Sequence, residues 1–486
     1  MPAITYNDFS GGTDRRLSIN VQDASRLWTL KNAYITSGKK IKKRPGLRKV
    51  FGAFSNPFTG ESTAGLTSVN GQLVTFGAAS IPAGLPTGVT GVPLAAPVLS
   101  GTPSTLIDVP YCVAFQGFLY VVAKWAHPSV GAFYKHHYLD GVTGIVTDSN
   151  CPHGPSVTVA VSRIFADAGK VVRYSKAGDA SDWTAASDAG FLPAALQQNA
   201  NSPVTAVGTF NDALVTFFEE SAQVWDVAVD PSANKIRKRI FGIGTTAPYS
   251  LASFSNDLVF LSPFGFRSMF VSTQTDRIDD LDIGSPIDSL VVPDIAVANP
   301  SADPSKVIAA WIPQLGQYWA IFNMGTHSKA WVYSYSKASK LAAWSEYTFP
   351  AGLIITALAT KAGKVYVRAA DFMFELADDQ YTDANAPIDV EVQMAFQDAK
   401  SPGVLKQFHA ADFVFDGSWE VSYLYDPRDQ AKETVPQSIG GDTRPGELIS
   451  VEVSAPAIAP VFRHSANEAA QIDAVTMYYE TLGLMG

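Results

Sequence analysis

The sequence predicts an all-β chain: a β-propeller of about six or seven blades, an extended N-terminal arm before it, and a small β-sandwich or barrel after it. Three observations predict this. A phrase that reads as strand, tight turn, strand recurs at near-regular distance; helical signals are almost absent between residues 60 and 385; and from residue 386 the chain turns to short alternating strands. The expected boundaries are 1–54 for the arm, 55–385 for the propeller and 386–486 for the C-terminal β domain.

The arm comes first. Residues 10–50 carry the pair Gly11-Gly12, one or two helical turns expected around Asp23–Leu30, and a hairpin with Ser37-Gly38 at its tip. So short a stretch has too little apolar surface to fold alone, and it is expected to lie on the propeller, on a neighbouring subunit, or on both. Its C-terminal part is strongly basic: Lys39, Lys40, Lys42, Lys43, Arg44, Arg48 and Lys49 fall within eleven positions that hold no acid.

The recurring phrase appears in SVNGQLVTFG (68–77), AFQGFLYVVA (114–123), FADAGKVVRYS (165–175), TFNDALVTFF (209–218), SFSNDLVFLS (253–262), IPQLGQYWAIF (312–322) and ATKAGKVYVRA (359–369). With Leu73, Leu119, Val171, Leu214, Leu258, Tyr318 and Val365 as equivalent points, the spacings are 46, 52, 43, 44, 60 and 47 residues. A repeat of roughly 40–50 residues in an all-β pattern marks propeller blades, each burying its faces against its neighbours. In VRYSKAGDASDW, Ser175, Gly178, Asp179 and Trp183 resemble the S-x-D-x-G-x-x-W turn of sialidase-type propellers, with Asp and Gly displaced. That turn is structural, and a weaker echo stands at 332–349. Trp225, Trp319, Trp331 and Trp344 lie in strand-like runs, where burial between blades is expected.

In the C-terminal part, IDVEVQMAF (388–396) alternates strictly, KQFHAADFVFDGSWEVSYLYD (406–426) reads as two strands across Asp416-Gly417, and LISVEVSAP (448–456) and QIDAVTMYYETLG (471–483) are further strands. Residues 426–447, rich in Gly, Pro and charge, read as a long exposed loop that faces a partner.

Composition narrows the function. The net charge is −9, from 36 Lys+Arg and 45 Asp+Glu, and removing residues 39–49 leaves −16. Proteins that bind nucleic acid through phosphate neutralisation are strongly basic, and this chain is the reverse. Cys112 and Cys151 are too few for a disulfide framework. No 18-residue apolar run and no secretion signal is present. His136, His137, Cys151 and His153 could suggest a metal, but adjacent side chains on a strand point to opposite faces, and these residues read as plain surface, so neither metal nor cofactor is expected. Glu219, Glu220, Asp226 and Asp230 could supply the carboxylate pair of a glycosidase. No P-loop, GxSxG, HExxH or dinucleotide fingerprint occurs.

Three stretches resemble one family. The order Gly11-Gly12, Asn32-Ala33-Tyr34-Ile35, Gly38, Lys43-Arg44-Pro45-Gly46 is similar to the N-terminus of the tail tubular B, or nozzle, proteins of short-tailed bacteriophages; VRYSKAGDASDW and FQDAKSPGVLKQFHAADFVFDG (396–417) match the same family in the same order. The resemblance covers about a sixth of the chain. It implies a non-enzymatic virion protein, assembled in the host cytoplasm as a hexameric ring at the distal end of the tail. Such a ring docks on the tail tube or adaptor above, can carry a fibre or needle, and passes DNA through a lumen gated by loops, without sequence-specific binding. In such a ring the seven basic residues are expected to dock on an acidic face of the next subunit, since opposite potentials set register and speed encounter. The alternative from another class is a carbohydrate-binding or sialidase-like hydrolytic propeller, which predicts an open pocket with paired carboxylates.

Overall fold

The computed structural model describes the chain except residues 1, 21–22, 79, 140–143, 147–149, 198–201, 275–281, 444–446 and 485–486, and the side chains of 144–146, 187 and 484. Strands dominate, and they form a β-propeller. Seven sheets follow one another. The first holds Glu61–Val69, Gln72–Gly77 and Val89–Pro93 with the short Ser55–Asn56; the second Thr105–Phe115, Phe118–His127, Gly131–Leu139 and Gly144–Val146; the third Val157–Ala160, Arg163–Ala168, Val171–Tyr174 and Gly190–Leu192. The fourth holds Ala206–Phe210, Ala213–Phe217, Ser221–Asp226 and Lys235–Phe241; the fifth Ala252–Phe254, Asp257–Ser262 and Gly265–Ser268; the sixth Val307–Ile312, Gln317–Asn323, Ser328–Ser336 and Leu341–Thr348. Ile355–Lys361, Lys364–Ala369 and Phe372–Ala377 make the seventh, and its outer strand is Gly46–Lys49, from the far end of the chain.

Inner strands pack sheet against sheet around the series, and the seventh packs on the first. That last contact is also polar: Arg368 donates to the Gly65 carbonyl at 3.0 Å and to the Thr75 hydroxyl at 3.1 Å, and its guanidinium lies over the Phe54 ring.

Six of the seven equivalent points lie on the second strand of their sheet. The exception is Val171, which lies on the third strand; its sheet's first hairpin turns at Val161-Ser162, with φ of 41° and 58°. Turns of that kind are normally written with Asn or Gly, so this one was invisible to the pattern. The true equivalent is Ile164. The long interval of 60 residues has its own cause: after Ser268 the chain leaves the fifth sheet for two helices, Met269–Gln274 and Asp288–Ala298, where a fourth strand was expected. The second helix contains Pro293 and no apolar stripe at helical spacing, which hid it from sequence reading.

The N-terminal residues do not form a separate arm. Arg26–Lys31 pairs with Val390–Met394 on one side and touches Leu341–Thr348 of the sixth sheet on the other; Ala3–Tyr6 pairs with the last strand, Gln471–Leu484; and the hairpin Ala33–Ile35/Ile41–Lys43 joins that same strand. The expected helical turn at Asp23–Leu30 is therefore a strand. Leu27 and Leu30, three apart, have a helical spacing, but a register shift between Leu27 and Thr29 turns both toward the core.

Two facing sheets result. One runs from the sixth propeller sheet through 26–31, 390–394, 459–464 and 418–424 to 437–440; the other contains 33–35, 41–43, 471–484, 404–416 and 449–455, with 3–6 alongside. Leu30, Val392, Trp419 and Phe462 of the first meet Phe408, Phe413, Val475 and Met477 of the second in one core. The strands on either side of Asp416-Gly417 are not partners: the first joins one sheet and the second the other. Across the outer face of the first sheet, Glu346, Lys31, Glu391, Arg463 and Glu420 are successive cross-strand partners, an alternating row of charge from propeller to C-terminal edge. Each such opposite-charge pair contributes about 0.2–1 kcal/mol.

A chain that begins at residue 52 lacks the outer strand of the seventh sheet and five strands of the C-terminal sheets: Ala3–Tyr6, Gly12–Thr13, Arg26–Lys31, Ala33–Ile35 and Ile41–Lys43. We expect it to lose the cooperative thermal unfolding of the full chain by circular dichroism. A cooperative transition at the native temperature would show that residues 1–51 are dispensable.

Candidate functional site

The basic segment is the joint of the molecule. Arg44 is 1% exposed, and both its terminal nitrogens donate to the Asp383 carboxylate. Its Nε donates to Asn32 Oδ1 at 3.1 Å, one terminal nitrogen also reaches the Thr348 carbonyl at 3.1 Å, and the guanidinium lies over the Tyr347 and Phe349 rings. Asn32, at φ 54°, donates to the Asp389 carbonyl and accepts from the Thr348 N–H; Asp383 also accepts from the Leu47 N–H. One buried ion pair thus binds the N-terminal hairpin, the sixth sheet, the edge of the seventh, and the start of the C-terminal strands. Gly46 must be glycine here, because a Cβ would lie 2.2 Å from the Thr382 carbonyl oxygen.

The other basic residues divide. Lys43 is buried, donates to the Ala466 carbonyl at 2.6 Å, and is pulled down to about 8 by burial and by the Arg44 charge. Lys39 pairs with Asp8 at 2.6 Å and Lys40 with Asp473. Arg48 is exposed and reaches Asp379 at 3.1 Å and Glu375 at 3.3 Å; Lys49, also exposed, lies 3.3 Å above the Phe372 ring. Lys42 is half-buried and forms no ion pair among the described residues. Of the seven residues expected to dock a neighbour, Lys43 and Arg44 are buried, and Lys39, Lys40 and Arg48 are ion-paired within this chain. Lys42 and Lys49 form no ion pair among the described residues. Pro45-Gly46 leads into the outer strand of the seventh sheet.

The propeller axis is the second candidate. Tyr111 of the second sheet and Tyr249, just before the fifth, stack across it with ring centroids 6.2 Å apart and planes 20° apart. Tyr249 Oη donates to the Pro155 carbonyl at 2.9 Å, fixing the ring. A cavity of about 170 Å³ lies on one side of the pair and one of about 120 Å³ on the other. The larger holds about five or six waters. Where the chain enters the inner strands, Lys124 of the second sheet bridges to Asp303, ahead of the sixth, at 3.0 Å.

Two carboxyls near this plug are strongly shifted. Burial pushes Asp167 up to about 7 even though it accepts the Ser156 N–H at 2.8 Å, and pushes Asp108, which accepts the Val109 N–H, up to about 6. Cys112, on the wall of the larger cavity, is likewise raised by burial and is a free thiol, as is Cys151. Sequence reading missed Tyr111, Tyr249, Asp108 and Asp167, because their meeting depends on closure of the ring.

Of the carboxylates considered for glycoside hydrolysis, Glu220 and Asp226 stand at opposite ends of one strand. Glu219 and Glu220 are exposed just before Ser221–Asp226, while Asp226 ends that strand, pairs with Arg237, and Asp230 caps the turn at Pro231–Ala233. Six residues of strand separate Glu220 from Asp226 by about 20 Å. Glycosidase pairs need ~5–10 Å.

His136 and His137 are not surface residues, as was expected; both are fully buried on opposite faces of Gly131–Leu139. His136 meets Tyr120 Oη at 2.9 Å and the Gly154 carbonyl at 2.8 Å, while His137 accepts from Trp125 Nε1 at 3.3 Å. Burial holds them down, to about 4 and about 3. Among the described residues no group of three His, Cys, Asp or Glu is placed to hold a metal. The sialidase-like turn has a structural role: Trp183 is buried, donates to the Ala180 carbonyl at 3.1 Å, and packs with Phe115 and Tyr120. Trp225, Trp319, Trp331 and Trp344 are buried as well. Among the described residues no helix is long and apolar enough to cross a membrane.

No family profile and no curated protein matches the sequence. Among solved structures the chain is similar to the WD40 domain of Neurospora crassa Pan2, at 7% identity and a TM-score of 0.37 over 69% of this chain and 96% of that one. It is also similar to the WD40 domain of Toxoplasma gondii coronin, at 9% identity and 0.30 over 76% and 88%.

The shifted carboxyls carry a pH signature. Asp167 holds its proton in the folded state at pH values where the unfolded side chain, near 3.8, has lost it. Its contribution to stability therefore falls as pH rises from about 4 through 7. Asp167→Asn should remove that component. We expect the melting temperature of the variant, measured against the native protein, to rise by roughly a few °C between pH 5 and pH 8. The depressed histidines act in both proteins and cancel in the difference. A constant gap across that range would contradict the assignment.

Proposed function

We propose that the chain is a structural subunit of a short phage tail, a nozzle that assembles as a ring and conducts DNA out of the capsid. The observation that carries this reading is the role of the residues in the family resemblance. Gly12 packs where a Cβ would lie 2.8 Å from Ala343, Asn32 and Arg44 form the buried joint, and Gly46 passes against Thr382. The resemblance rests on residues that set architecture, so it supports a shared architecture and a shared role. Lys406, in the third matching stretch, is of the same kind: its ammonium is buried and donates to the carbonyls of Ser401, Val404 and Pro456.

On this reading the seven sheets are seven blades and the two C-terminal sheets a sandwich domain. The stacked tyrosines and the small cavities leave no passage for a duplex through any one propeller, so the lumen runs between copies. A net charge of −9 per chain suits a wall along which phosphates slide. The ring, hexameric by the resemblance, sits below the tail tube or adaptor, with Lys42 and Lys49, which form no ion pair among the described residues, as the basic residues left to meet a neighbour. A fibre or needle would attach at its tip, and assembly takes place in the host cytoplasm before incorporation into the virion.

Light scattering tests this directly. Six chains of 52.0 kDa give about 312 kDa, and we expect that mass for the protein alone or once the tail-tube protein is added. A single-chain mass under both conditions would defeat the ring reading.

A further inference from the structure

The outer rim of the third and fourth sheets exposes a group of large apolar side chains. Phe191, Leu196, Val229 and Phe241 are 58, 79, 62 and 55% exposed there. Hydrogen bonds join the segments that carry them: Arg239 reaches Gln197 Oε1 at 2.8 Å, next to Leu196, and Arg163 binds both Asp188 and the Val229 carbonyl, beside the strand that holds Phe191. Through this rim runs the outer strand Lys235–Phe241, KIRKRIF, four cations and no acid in seven residues. Lys235, Arg237 and Arg239 alternate along it on the exposed face, about 6.6 Å apart. Arg237 has Asp226 at 2.5 Å. Large apolar side chains set among arginines are what the core of a protein interface contains, and an exposed apolar patch with a polar border marks such a surface.

The complement is on the same molecule, on the far side of the ring of sheets. The C-terminal sheets attach at the sixth and seventh sheets, away from the third and fourth. Their edge, residues 426–443 and 447–452, carries six acids against two cations, a net −4, and exposes Val435 at 84% and Leu448 at 51% beside the exposed Asp429, Glu447 and Glu452. Gln437 donates to the Ser450 carbonyl, which holds the two halves of this edge together. Two different complementary patches on opposite sides of one chain make a head-to-tail contact, and head-to-tail contacts that close produce rings.

Given the ring assembly proposed above, we infer that the rim at Phe191, Leu196, Val229 and 235–241 docks on residues 426–443 and 447–452 of the next copy. The apolar side chains bury one another, and the cations of one copy face the carboxylates of the other. The contact is a second one, beyond any made by the basic residues near the N-terminus.

A carbodiimide, which couples an ammonium to a carboxylate it already touches, reads this contact in the unmodified protein. With a mixture of ¹⁵N-labelled and unlabelled copies, we expect mixed-isotope peptides that link Lys235 to a carboxylate within 426–443 or 447–452. Links between copies that map only elsewhere would overturn the proposal. In parallel, the variant Lys235→Glu/Arg237→Glu/Arg239→Glu, with its fold checked by circular dichroism, should fall from ring mass to single-chain mass in light scattering. A ring that survives the triple substitution overturns this contact alone. A native protein that is a single chain with and without the tail-tube protein overturns the ring reading and this contact with it.

Discussion

The buried pair between Arg44 and Asp383 is the constraint on which the rest of the structure depends. Its two members are 339 residues apart, and between them the chain completes the propeller. A charge pair removed from water is held only when its geometry is good and its remaining donors and acceptors are satisfied. Here they are satisfied by Asn32 of the hairpin, by the Thr348 carbonyl of the sixth sheet, and by the Pro45 carbonyl and Leu47 N–H of the segment that follows Arg44. The pair therefore specifies a relation: N-terminal hairpin, sixth sheet, seventh sheet and C-terminal strands must all be in place for the full set of its bonds to be made. Of the seven basic residues of the arm, Lys43 and Arg44 lie inside the protein, and Lys39, Lys40 and Arg48 pair with acids of the same chain.

Closure and plugging follow from the same topology. The strand 46–49 completes the seventh sheet with residues that precede the first, so the two ends of the repeat are fastened by one sheet, as a clasp fastens a ring. The inner strands then approach closely enough for Tyr111 and Tyr249 to meet, and the space around them shrinks to cavities of a few waters. A propeller closed in this way is a rigid block. Any larger passage or moving gate has to be made by several such blocks or by the loops between them.

Much of the fold was legible because its signals are local. The turns Asn70-Gly71, Gln116-Gly117, Asn211-Asp212, Ser255-Asn256, Leu315-Gly316 and Ala362-Gly363, each between alternating runs, announce six of the seven inner hairpins. The seventh was missed because Val161-Ser162 takes the same backbone shape without the usual residues. The strand at Arg26–Lys31 was misread because a bulge gave Leu27 and Leu30 a helical spacing. His136 and His137 read as surface because nothing in their neighbourhood shows that sheets cover both faces of their strand. What the sequence could not reveal is long-range pairing: nothing near Asp383 marks it as the partner of Arg44, and Tyr111 and Tyr249 meet only because the ring closes. The basic residues were legible as a cluster, but which would be buried and which exposed was decided by strands from the other end of the chain.

The most direct test of this account is a double-mutant cycle on the joint, with Arg44→Met, Asp383→Leu and both together, read as urea unfolding free energies. Each single change leaves a buried charge without its partner, and the account predicts a loss of about 3–5 kcal/mol for each, with the double variant less damaged than the sum of the two. Single variants within about 0.5 kcal/mol of the native protein, the range of ordinary surface substitutions, would contradict it.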